Sequence, residues 1–303
     1  MVESGLAEDV KLLDSNGTDR TDELGFVESA TFRFDEAEEA ERSVGSGGKP
    51  VDIRDSTVEF TGSLTFKPTT LKGLRVFGEF TDDGDGTYTI TFPGDQQLEQ
   101  HNELKGQFDG NNVFSLRDVK LDDLTVDAGV DDAVTVEFGN VLALDGDVQD
   151  GSVALSEPSD NVLQWTDAEV SINGSTVGAV ESASLSINRN VSSEYGITGD
   201  TGGDARKPVA LVEGNFEFEP SIVIKVQDER AYEEALDDSG STISIQGEKS
   251  KQSLTLDFGG GDGQFKFTNA KFTADDFEMQ SDKDTRTVEL SGTAEDAEVT
   301  GDI

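Results

Sequence analysis

The chain repeats itself, and this constrains its fold more than any other feature of the sequence. Residues 25–34 (GFVESATFRF) return as 178–187 (GAVESASLSI) at an offset of 153, with five of ten positions identical. Residues 58–68 (VEFTGSLTFKP) align with 210–220 (ALVEGNFEFEP) at 152, 116–121 (LRDVKL) with 267–272 (FTNAKF) at 151, and 135–138 with 287–290 at 152. The opening stretch 10–17 has its counterpart at 170–174. Five matches in one order at a near-constant offset mark a tandem duplication. They predict two copies of one domain, 1–148 and 149–303, parted within the turn-rich stretch 145–158 (DGDVQDGSVALSEP).

Inside the repeats, apolar residues recur at every second position. Phe60, Gly62, Leu64 and Phe66 share one side of a strand, and Glu59, Thr61, Ser63, Thr65 and Lys67 the other. The second copy sets Val212, Gly214, Phe216 and Phe218 against Glu213, Asn215, Glu217 and Glu219. Period-two alternation predicts strands with one buried and one wet face, so the expected fold is mainly β. Each copy reads as an opening strand, a strand at 26–34 or 179–187, and a long polar, Gly-rich loop at 35–56 or 188–208. The alternating strand follows, then a short helix, clearest at 228–237, a strand at 87–92 or 241–246, a hairpin and a closing strand.

The charge is extreme: 64 acidic against 23 basic residues, a net charge of −41. In ordinary saline, screening acts over about 8 Å and so many carboxylates repel one another; near molar salt that length falls to about 3 Å. The composition therefore suits a medium close to salt saturation. It also opposes tight binding to nucleic-acid phosphates, which needs clustered Lys and Arg. The absence of Cys excludes disulfides, thiolate metal sites and cysteine nucleophiles. No export signal and no membrane-spanning apolar run are expected.

No motif points to catalysis. Residues 82–86 (DDGDG) lack the ligand spacing of a calcium loop and read as a hairpin turn. Residues 259–263 (GGGDG) lack the Lys-Ser/Thr of a phosphate loop and also read as a turn. His101, the only histidine, stands among polar neighbours and reads as a solvated loop residue. The Asn-Gly pairs at 16–17 and 173–174 read as tight turns, and Trp165 as a core or interface anchor. No cofactor or metal is expected.

Residues 184–220 (SLSINRNVSSEYGITGDTGGDARKPVALVEGNFEFEP) resemble the major tail tube proteins of long-tailed viruses and phages. The likeness lies in a strand at 185–189, a long loop with Gly, Asp and Pro at 195–208, and a strand opening on Val212, Glu213 and Gly214. It covers about residues 165–292 directly and 10–140 through the repeat. It implies two tandem tail-tube-like β-sandwich or split-barrel domains, each with one short flanking helix and a long loop. Six such domains make a ring and stacked rings a hollow tube, so two domains per chain imply homotrimeric rings with pseudo-sixfold symmetry. With the acidity, the likeness implies a haloarchaeal virus. The long loops would reach neighbouring subunits through Arg42, Lys49 and Arg54 in the first copy and Arg189, Tyr195, Arg206 and Lys207 in the second. The wet strand face (Glu59, Thr61, Glu213, Asn215, Glu217, Glu219) would line the lumen, through which double-stranded DNA passes without specific binding. Implied partners are further copies of the chain, a tape-measure protein, and terminator and baseplate proteins. The implied place is the virion tail, after assembly in the host cytoplasm. The competing expectation is a duplicated β-sandwich adhesin or surface-layer module, which would stay discrete instead of polymerising.

Overall fold

The computed structural model describes residues 9–41, 52–93, 101–108, 111–130, 132–153, 161–177, 180–196, 206–226, 251–259, 261–279 and 286–302. The expected helix at 228–237 and strand at 241–246 lie outside these residues, as do Arg42 and Lys49. The fold is mainly β. In the first half the strands are β1 (Asp9–Leu13), β2 (Phe26–Glu41), β3 (Asp52–Lys67), β4 (Glu79–Asp82), β5 (Thr87–Thr91), β6 (His101–Phe108), β7 (Asn112–Leu121), β8 (Asp123–Gly129) and β9 (Thr135–Asp150). In the second they are β10 (Glu169–Ile172), β11 (Ser175–Thr176), β12 (Val180–Asn188), β13 (Ser192–Glu194), β14 (Ala210–Val212), β15 (Glu217–Val226), β16 (Gln252–Asp257), β17 (Gln264–Met279), β18 (Arg286–Thr293) and β19 (Asp296–Asp302). Among the described residues helix is confined to one turn, α1 (Thr21–Leu24), and two 3-10 segments, Leu71–Val76 and Trp165–Asp167.

Eight antiparallel strands form one continuous wall in the order β2-β3-β9-β8-β12-β15-β18-β17. A row of opposed residues runs Ala30–Leu64–Phe138–Leu124 through the first four strands. The row Ala183–Ile222–Leu290–Ala274 runs through the last four. Behind the wall, β1-β6-β7 extends onto the far end of β9, and β10-β16-β17 onto β19. Strand order and hydrogen-bond partners thus match between the halves. The matching bulges include Val27/Ser29 with Val180/Ser182, and the left-handed residues Asp118 (φ 53) and Asn269 (φ 56) occupy the same place in β7 and β17.

One stretch departs from the sequence alignment. Measured against β2 and β12, Phe60 corresponds to Phe218 and Lys67 to Lys225, so FTGSLTFK matches FEPSIVIK. The alignment of Pro68 with Pro220 is six residues out. A period-two pattern looks the same after any even shift, so alternation alone could not detect the slip. Two ion pairs agree with the ladder: Lys67 with Glu28, and Lys225 with Glu181 at 2.5 Å.

Two expected loop segments are strand. The β2–β3 ladder runs out to Glu41 opposite Asp52, so only the tip of the expected 35–56 loop lies outside it. β9 continues to Asp150 along β7, so 145–150 is ladder, although its composition reads as linker. The turns fall where expected: Asp82–Asp85 closes the β4–β5 hairpin through side-chain acceptors for Gly84 and Thr87 N–H. Asn173 (φ 51) and Gly174 (φ 76) close β10–β11 in the left-handed conformation an Asn-Gly turn requires.

The buried side of the wall packs on the back strands. A chain of phenylalanines crosses the two halves: Phe66–Phe138–Phe77–Phe92 from the first meets Phe265–Phe267–Phe218 from the second, with neighbouring ring centroids 5.2–6.4 Å apart. Such contacts add to the burial of large aromatic surface, the dominant stabilising term here. His101 is buried in β6, and its Nε2–H donates to the Val76 carbonyl. Its polar sequence neighbours suggested a solvated loop; the ladder turns its ring inward instead. Trp165 packs against the core from its 3-10 turn.

Candidate assembly face and sheet edges

Three features of the wall could serve an assembly: its open face, the seam between the halves, and its two end strands.

The open face carries the wet half of every alternating strand. Across it, hydroxyls pair between strands, Thr31 with Ser63 at 2.7 Å and Thr125 with Ser186 at 3.3 Å. Carboxylates stand among them: Glu59, Glu137, Asp127, Glu217 and Glu219 are exposed. Of the expected lumen residues, Glu59, Glu217 and Glu219 lie exposed on this face and Thr61 is half-buried there, opposite Arg33 and Leu142. Asn215 is exposed in the break before β15, where its carbonyl accepts from Asn190 Nδ2 at 3.1 Å. Three basic residues of the face are held by acids: Arg33 by Asp35 at 2.5 Å, Lys67 by Glu28 and Lys225 by Glu181.

Glu213 is the exception among the expected lumen residues. The second alternating strand breaks between β14 and β15, and the side chain of Glu213 turns inward, only 5% exposed. Its carboxylate meets Lys120 on one oxygen and Arg189 Nη2 at 3.0 Å on the other. Arg189 lies 4.0 Å over the Phe216 ring. Around this pair, Asp122 accepts from Val191 N–H (2.6 Å) and Asn140 Nδ2 (3.0 Å), and its carbonyl takes the Arg189 N–H. Asn188 Nδ2 donates to Asp123, which burial and the charge of Asp122 push above the usual carboxylate range. Lys120, Asp122 and Asp123 come from the first half, and Arg189 and Glu213 from the second. The cluster is a clasp on the β8–β12 seam, where residues 123–129 pair in full with 182–188. The sequence signal for it was weak: lone ions in a chain crowded with acids.

The remaining loop candidates also make contacts within the chain. Tyr195 Oη donates to the Val58 carbonyl at 3.2 Å, and the Arg206 carbonyl accepts from Val58 N–H at 2.9 Å. Lys207 pairs with Asp145 at 2.5 Å and reaches over the Phe60 ring. Val191 and Leu211 pack on Leu142. Residues 189–195 and 206–211 of the second half therefore lie against the first half. Arg54 stands in β3 opposite Glu39, in the part of the β2–β3 hairpin that runs beyond β9.

The end strands of the wall are β2 and the far half of β17. Among the described residues β2 pairs only with β3, and 271–279 of β17 only with β18. Both leave a row of backbone donors and acceptors on the outer side. A second crossing joins the halves behind the wall, where β5 of the first half pairs with β19 of the second.

No curated protein matches the chain. The family model of phage tail tube proteins matches residues 15–302, nearly the whole chain. A β wall with two unpaired ends, and a family whose members are structural parts of a viral tail, describe one kind of molecule: the chain belongs to the phage tail tube protein family.

Proposed function

We propose that this protein is the repeating subunit of a tail tube in which each chain supplies two of the six positions of a ring, so that three chains close it. The family makes it a structural tail protein that assembles with itself. The trimeric ring is supported by one observation above all. The four-strand block β2-β3-β9-β8 recurs as β12-β15-β18-β17, joined edge to edge in one sheet. The chain then carries two tandem copies of one domain, and the in-chain seam is a sample of the contact that repeats around the ring.

In this reading the open face lines the lumen. Three of its basic residues sit in ion pairs, so DNA phosphates find little counterion release to gain, and DNA passes through during ejection without being held. The β2–β3 hairpin, which runs past β9, reaches the adjoining ring, whereas residues 189–195 and 206–211 are spent on the seam. The acidic surface fits a halophilic virus, whose assembly takes place in a salt-rich host cytoplasm.

The test is the mass and symmetry of a single ring, by native mass spectrometry and electron microscopy in molar salt. Three chains of 32.4 kDa with six lobes are expected. Six chains per ring would overturn the trimer, and discrete monomers at every concentration would overturn the tube.

A further inference from the structure

We infer that one chain joins the next by antiparallel pairing of the outer edge of β2 with residues 273–279 of β17, in the register that β12 and β8 already use inside the chain. This rests on the ring reading and specifies its contact; the partner is a second copy of this chain.

The argument starts from the in-chain seam. There Ile187 stands opposite Leu124, Ser186 opposite Thr125, Leu185 opposite Val126, Ser184 opposite Asp127 and Ala183 opposite Ala128. β2 occupies in the first half the place of β12 in the second: Ala30, Phe32 and Phe34 match Ala183, Leu185 and Ile187, and the bulges coincide. The far half of β17 holds the place of β8. Ala274 lies opposite Leu290 as Leu124 lies opposite Phe138, and after the irregularity between Ala274 and Asp276 the match runs Thr125 to Asp276, Val126 to Phe277, Asp127 to Glu278 and Ala128 to Met279. Among the described residues each strand therefore lacks the neighbour its counterpart has.

Transferring the seam sets Phe34 opposite Ala274, Arg33 opposite Asp276, Phe32 opposite Phe277, Thr31 opposite Glu278 and Ala30 opposite Met279. The result is chemically consistent without adjustment. Apolar residues meet on the buried side of the wall, where Ala30 and Phe32 already lie in the core. On the open side an arginine meets an aspartate where the in-chain seam has a Thr–Ser pair. A slip of one residue would set Arg33 against Phe277 and Phe32 against Glu278, or in the other direction Phe32 against Asp276, exposing apolar side chains and burying charge. A slip of two would set Arg33 against Glu278 but leave the two end positions unmatched. The two edges lie at opposite ends of one sheet, so the contact is head-to-tail and must close into a ring or run on as a filament.

The chain has no cysteine, which makes pair cross-linking clean. Cβ atoms of directly opposed residues lie about 5 Å apart and diagonal ones about 7 Å, whereas a disulfide spans about 4 Å. Full-length Thr31→Cys/Glu278→Cys should cross-link between chains under mild oxidation several-fold more than Thr31→Cys/Asp276→Cys. Ser184→Cys/Asp127→Cys, the same pair on the in-chain seam, should cross-link within one chain and sets the yield for a correct register. Tubes that form while Thr31→Cys/Glu278→Cys gives no interchain link, or links less than the shifted pair, would overturn the register and leave the tube reading standing. Specific linkage in rings that do not contain three chains would keep the joint and overturn the trimer. Should a cysteine variant fail to fold, the charge pair gives a second measure: Arg33→Asp should lower tube yield several-fold and Asp276→Arg added to it should restore the yield. No restoration in a folded double variant counts against the joint.

Discussion

At the scale of single residues, two carboxylates with opposite surroundings decide how stability answers to pH. Burial alone would raise the Asp14 carboxyl, but N–H donors from Thr18 and Asn16 and the Arg20 guanidinium outweigh it and hold the group below its ordinary value. Its stabilisation is present above the unfolded-state pKa and is lost as pH falls through the lowered folded-state value. Asp123 is the reverse case, raised by burial and by Asp122, so its ionised form costs stability at neutral pH and protonation relieves that cost. Denaturant unfolding at high salt should therefore show Asp14→Asn weaker than wild type at pH 7, the gap narrowing in acid. Asp123→Asn should be as stable as wild type or more so at pH 7. The clasp is a sharper test. Removing one member of a buried ion pair strands the others, at about 3–5 kcal/mol. Glu213→Ala should cost that order in unfolding free energy, while exposed Glu217→Ala should change it by under about 0.5 kcal/mol. Equal effects would return Glu213 to the open face.

At the scale of elements, the sequence was readable where one face of a strand is buried and opaque where it is not. Residues 60–67 and 183–187 announce themselves by alternation, and the matching turns by Asn-Gly and Asp-Gly. Residues 35–41 (DEAEEAE) carry no apolar face, because that part of β2 pairs with β3 beyond the reach of β9. Residues 145–150 (DGDVQD) were missed for the same cause: a ladder sustained by backbone bonds to β7 needs no apolar side chain. The inward turn of Glu213 was invisible because its partners, Lys120 and Arg189, lie 93 and 24 residues away in sequence. The hairpin arm gives a prediction of its own. Replacing Ile53 and Arg54 with Pro would remove arm ladder bonds well away from the core, so rings should form while stacking into tubes falls; long tubes from that variant would relieve the arm of its role.

At the scale of the whole molecule, the two seams of the proposed ring are alike in strands and unlike in locks. The in-chain seam has the clasp of Lys120, Arg189 and Glu213, whereas the positions matching Asn188 and Arg189 at the chain-to-chain seam are Asp35 and Glu36. Asp35 is already paired with Arg33, but Glu36 stands where the in-chain seam has an arginine, so two strongly acidic chains meet there without the clasp and depend more on salt screening. Assembly should therefore respond to salt more steeply than folding does. On dilution from about 3 M to about 0.15 M KCl, where screening lengthens from about 2 Å to about 8 Å, tubes followed by light scattering should fall apart before the β signal in circular dichroism is lost. Simultaneous loss of both would mean that charge governs the fold as much as the joint.

The crossing of β5 to β19 bears on how such a molecule comes to be made. Thr91 waits for Glu298, so a hairpin translated early holds an unsatisfied edge until a strand some two hundred residues later emerges. The first half alone leaves the outer edge of β5 unpaired, and β19 of the second half has β5 as its partner there. On the ribosome the nascent chain is therefore an incomplete template that only its own late strand is tethered near enough to fill, a concentration advantage over any stray chain. In a polymerising protein this order guards the β5 edge from stray chains until its own partner strand is made.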